Sequence, residues 1–103
     1  MALLNFRSKD TTVVAVNTEV ETFLKGFSIE VMPRTVEKIA DLRDLLPRGT
    51  RVYVAHIEGT TIQEMVATAK RVAAEGFDVM PHFPARIIKD ENTLRNWIAR
   101  PCR

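Results

Sequence analysis

Three runs rich in β-branched and aromatic residues are entered at Phe27, Val52 and Phe77, each 25 positions after the one before. Between them the apolar residues recur at helical spacing. Parallel strands need a crossover of a dozen or more residues, and a repeated strand-plus-helix unit of this length supplies one. The pattern predicts an α/β chain in the order β-α-β-α-β-α. The strands should form one parallel sheet, with right-handed crossovers and helices packed over it. The echo between "VMPR" after the first run and "VMPHFPAR" after the third agrees with a repeated unit.

Local signals set the element boundaries. Thr18 and Glu21 have capping-box spacing, Val20, Phe23 and Leu24 make an apolar face, and Gly26 supplies a stop, so a short helix leads into the strand 27–31. "TVEKIADLRDLLPRG" predicts a helix capped by Thr35, with Val36, Ile39, Leu42, Leu45 and Leu46 on one side and Pro47 and Gly49 closing it. "TRVYVAHI" is the second strand. "TIQEMVATAKRVAAEG" predicts an amphipathic helix with a capping box at Thr61 and Glu64. Its buried face is Ile62, Met65, Val66, Ala69, Val72 and Ala73, and Gly76 stops it. "FDVMPH" is the third strand, and a last helix opens near Asp90 with Leu94, Trp97 and Ile98 as its apolar side. Residues 1–17 have no firm period and are expected to be a leader or mobile arm, with "VVAV" (13–16) able to form a short strand. The domain is expected over 18–103.

Composition narrows the class. In 103 residues, 15 Lys and Arg are interspersed with 13 Asp and Glu, which leaves a net charge of only +2. Nucleic-acid binding would need basic residues gathered on one face among aromatics, so it is not expected. The single cysteine, Cys102, excludes an internal disulfide and a Cys-based metal knuckle. No run nears the ~20 apolar residues needed to span a bilayer, and "MALLNFRSKD" lacks a signal-peptide core. A cytoplasmic protein with neither membrane nor nucleic-acid partner is the expectation.

Parallel strands bring their C-terminal ends to one edge, and ligands bind along that edge. Glu30, His56 and His82 close the three strands there. Among Ile29, Val31 and Met32, the Glu30 carboxyl should be half-buried, and desolvation would favour its protonated form, as a general acid requires. Pairing with Arg34 or Arg86 is the structural alternative. Each histidine can equally be a polar tip bonded to a loop. The trio also has the composition of a zinc or non-haem iron site, although no HxH or HExxH pair is present. No glycine-rich phosphate loop or GxSxG elbow occurs.

"GFSIEVMPRT" and "VMPHFPAR" together resemble the first and third strands of the methylenetetrahydrofolate reductase family, in a divergent bacterial branch. In that family the first strand ends in Glu followed by proline, a basic residue and threonine, and the third ends in a Pro-His pair. The likeness covers about residues 18–100. It implies a flavin-dependent oxidoreductase of folate one-carbon metabolism, built on a TIM (βα)8 barrel that holds FAD on its C-terminal rim. NAD(P)H would reduce the flavin, which passes hydride to 5,10-methylenetetrahydrofolate to give the 5-methyl form. By the same resemblance, Glu30 matches the acid that helps open the methylene bridge. His82 matches a flavin-contacting histidine, while Ala55 and His56 fall where the family has Thr and Tyr. The second strand departs, with "VYVAHIEG" in place of a Val-Thr-Tyr-Gly-Ala pattern, and the family's doubled proline is the single Pro33.

A full barrel takes ~200 residues or more, so three βα units are expected to be the N-terminal part of such an enzyme, inactive alone. Open sheet edges would favour self-association. A non-catalytic interaction module is the alternative reading, and a metal-dependent hydrolase fragment using Glu30, His56 and His82 is a more distant one.

Overall fold

The computed structural model describes residues 18–100, so the expected leader, the "VVAV" strand and Cys102 lie outside the described residues. Helix α1 (Thr18–Leu24) precedes β1 (Ser28–Val31), α2 (Pro33–Val36), β2 (Arg51–Val54), α3 (Ile62–Ala74), β3 (Asp78–Pro81) and α4 (Glu91–Ala99). Single 3-10 turns occupy Leu42–Asp44 and Ala85–Ile87. The strands form one parallel sheet in the order β1-β2-β3, as the repeat predicts.

One face of the sheet is covered. Val31, Val52 and Val54 point to it and are buried with Val36, Leu42, Met65, Val72 and Phe77; Ile29 and Val79 complete the packing. Helix α3 provides most of the cover, because Met65, Thr68, Ala69 and Val72 recur on one side of it. Ala73, expected on that side, is exposed, and Thr68 takes the additional place. The helix is well begun and well ended. Glu64 N–H donates to Thr61 Oγ1 (3.2 Å), Thr61 N–H donates to Glu64 Oε2 (2.7 Å), and Gly76 leaves the helix at φ +92°.

The expected helix over 35–47 is not continuous. It starts earlier, with Pro33 at its first position after Met32, and stops at Val36. A connector and the 3-10 turn follow. The cause lies 35 residues away in α3. The Arg71 guanidinium donates to the carbonyls of Val36 (2.6 Å), Ile39 and Ala40 (3.2 Å), and its Nε donates to Glu75 Oε1 (2.9 Å). Glu75 Oε2 in turn accepts from Leu42 N–H (3.1 Å). These bonds occupy backbone groups that a continuing helix would pair internally. Asp41 starts the 3-10 turn by accepting from Arg43 N–H (2.9 Å). The apolar residues still turn inward in part. Leu42 is buried, Ile39 and Leu46 pack on the core, and Leu45 stands 65% exposed.

Helix α4 is capped by Asp90, which accepts from Thr93 N–H at 2.7 Å. The Phe83 and Trp97 rings meet at 5.7 Å and tie α4 to the loop after β3.

Candidate functional site

Among the described residues, no helix lies over the sheet's other face. Strand alternation sends Ser28 and Glu30, Arg51 and Tyr53, and Asp78 and Met80 to this side. Register then groups them across the strands. Ser28, Arg51 and Asp78 form one row, and Glu30, Tyr53 and Met80 form the next toward the C-terminal ends. Continuing the pairing by one step sets Ala55 beside His82. Ala55 N–H donates to Val31 O (2.8 Å) and His82 N–H to Val54 O (3.0 Å), so the ladder persists past the strands.

Glu30 is exposed, which corrects the half-buried carboxyl expected from its neighbours. Ile29 and Val31 do point into the core, but a strand sends adjacent side chains to opposite faces. Neither Arg34 nor Arg86 forms an ion pair with it, and among the described residues Glu30 has no ionic partner.

The two histidines separate. His82 is exposed and lies one row beyond Met80 on the face that carries Glu30, with Ala55 next to it. His56 is half-buried in the loop two residues after β2, one position out of phase with Ala55. Of the expected trio Glu30, His56 and His82, the register brings Glu30 and His82 to one face, where Ala55 adjoins His82, and leaves His56 out of phase. Among the described residues no three His, Cys, Asp or Glu side chains gather as a metal-ligand group. Glu30, His56 and His82 are therefore not gathered as a ligand set here.

Sequence reading did not single out the row beneath Glu30. Arg51 Nε donates to Asp78 Oδ2 at 2.7 Å, bridging β2 and β3. Asp78, and after it the neighbouring Tyr53 hydroxyl, pushes the Arg51 guanidinium pKa up. Both positions open their strands, and the 27-residue separation hid the pairing until the register was known. Below this row, α1 and the turns before β1 and β2 enclose a depression of about 690 Å³. Leu24, Lys25, Arg48, Arg51, Tyr53 and Asp78 are among the residues lining it.

No family model matches the chain. Among the described residues, no helix is long and apolar enough to cross a membrane.

Proposed function

We propose that this chain carries the proton-delivering acid of a flavin-dependent reductase of the methylenetetrahydrofolate reductase type, contributing three βα units to its barrel. One observation supports this most directly: Glu30 stands on the uncovered sheet face, one row below Ala55 and His82 and toward the C-terminal ends of the strands. Ligands of parallel α/β architectures bind at that end.

The residues there fit FAD. Ala55 presents only a methyl group beside the backbone of β2, which leaves the approach open to a flat ring system. His82 offers an exposed imidazole next to it, able to donate or accept a hydrogen bond. His56 does not share this row and is left out of the cofactor set. When bound, FAD supplies the hydride chemistry, taking hydride from NAD(P)H and passing it to the folate. Glu30 would be the residue that passes a proton to the folate nitrogen released as the methylene bridge opens. Tyr53 and Met80 flank that carboxyl in the same row and furnish an aromatic and a thioether wall. Once the face is covered they limit water around it, which suits proton transfer.

The test is FAD titration followed by quenching of flavin fluorescence. It is run on the chain alone and on the chain mixed with the complementary later portion of a full-length reductase of that family. The expected result is FAD binding and NAD(P)H-dependent folate reduction in the mixture. Glu30→Gln should keep FAD binding and lose folate reduction. Failure of the mixture to bind FAD sinks the reading.

A second reading, a non-catalytic interaction module, is favoured by the bare face together with the unpaired outer edges of β1 and β3 among the described residues.

A further inference from the structure

We propose that two copies of this chain associate face to face across the uncovered side of the sheet, with their strands running in opposite directions. This stands apart from the reductase reading and concerns the chain by itself.

Parallel sheets are found almost only with both faces covered, and among the described residues one face has its cover and the other does not. The bare face is not uniformly polar. Tyr53, Met80 and Met32 are 36%, 43% and 41% exposed on it. At about 4.8 Å between strands and about 3.3 Å per residue, its three strands span only a few hundred Å². A stable interface buries about 800 Å² per partner, so the sheet face alone is too small. The missing area adjoins it. Helix α1 buries none of its residues, and Val20, Phe23 and Leu24 form an exposed apolar flank. Leu24 lines the same depression as Tyr53, Arg51 and Asp78, so the flank meets the face at that residue.

Charge selects a second copy as the occupant and fixes its direction. Arg51 and Asp78 neutralise each other in the middle of the surface. Lys25 and Arg48 lie at its N-terminal end with one carboxylate, Glu21, which leaves an excess of positive charge there, and Glu30 lies nearer its C-terminal end; among the described residues none of the four has an ionic partner. Two such faces stacked with strands parallel would oppose like charges. Stacked with strands antiparallel about a twofold axis, each Glu30 approaches the cations of the other copy.

Sedimentation velocity from roughly 5 to roughly 500 µM tests this, at low and high salt. The expected result is a monomer–dimer equilibrium that salt weakens. Met80→Glu, at an exposed position, should give a folded monomer by circular dichroism, and Tyr53→Glu should do the same. Glu30→Lys should also abolish the dimer, while the triple variant Lys25→Glu, Arg48→Glu, Glu30→Lys should regain it because opposite signs again face each other. A wild-type monomer across the whole range overturns the proposal. So does a dimer indifferent to both single-glutamate variants, which would place contact elsewhere, or a triple variant that stays monomeric.

Discussion

The two faces of the sheet are built from the same strands by alternate residues, and they differ in almost every physical respect. Val52 and Val54 are 0% exposed beneath α3, whereas Tyr53, between them, looks outward beside Glu30 and Met80. On the covered face, position is decided by packing. On the bare face, no core packing among the described residues selects the side chains, so polar, aromatic and charged residues coexist there in rows, tied only by the Arg51–Asp78 pair. Stability resides on one side and the opportunity for chemistry on the other.

The sharpest way to break this contrast is to place one carboxylate on each face. Val54→Asp buries an unpaired charge in the core and should abolish the cooperative melt, since desolvation outweighs the stability of a small domain. Tyr53→Asp, one residue away, should leave the melt intact at concentrations where the chain is monomeric. Equal destabilisation by the two would contradict the division of faces.

Next in size is the Arg71 cluster. Arg71→Met leaves the Ile39 and Ala40 carbonyls and Glu75 Oε1 without their donor and takes one of two donors from the Val36 carbonyl, and it should lower stability by about 2 kcal/mol in a urea titration. Arg71→Lys should recover only part, because one ammonium cannot span the fan of acceptors that a guanidinium does. Smaller still is Thr61→Ala, which removes half of the α3 capping box and should cost about 1 kcal/mol.

The acid limb tests Asp41. Its carboxyl is held at about 2, chiefly by the hydrogen bond from the Arg43 side chain and then by the Arg43 backbone N–H. The folded value lies below the unfolded one, so its contribution is complete above about pH 4 and is lost as pH falls through 2. The Arg43 amide resonance should shift across that window, and Asp41→Asn should flatten the response. Smallest of all is Arg51→Met, on the bare face, which should leave the melt unchanged although it removes a 2.7 Å ion pair.

Local signals carried much of the fold. The capping box at Thr61 and Glu64, the glycine stop at Gly76 and the Asp90 cap are all read within a few residues, and each stands where expected. The helix over 35–47 failed because Val36, Ile39 and Leu42 fit a helical period while the decisive partner, Arg71, is remote in sequence. Glu30 failed differently. Its apolar neighbours suggested burial, yet a period of two already assigned Ile29 and Val31 to one face and Glu30 to the other. What no local pattern contains is which face acquires a cover, because that depends on where α3 lands. The separation of His56 from Ala55 and His82 has the same origin, since one step of phase decides it.

The Arg71 cluster also bears on how the chain would be cut. Residues 37–41 belong to neither helix nor strand, the kind of backbone a protease takes up as an extended substrate. Here the carbonyls of Ile39 and Ala40, with that of Val36 just before them, are held by a side chain anchored in α3. To enter a protease cleft the connector must first surrender those bonds and the Leu42 contact to Glu75, which exposes the packed side of α3. Its susceptibility should therefore follow the opening of the core rather than the mobility of a loop.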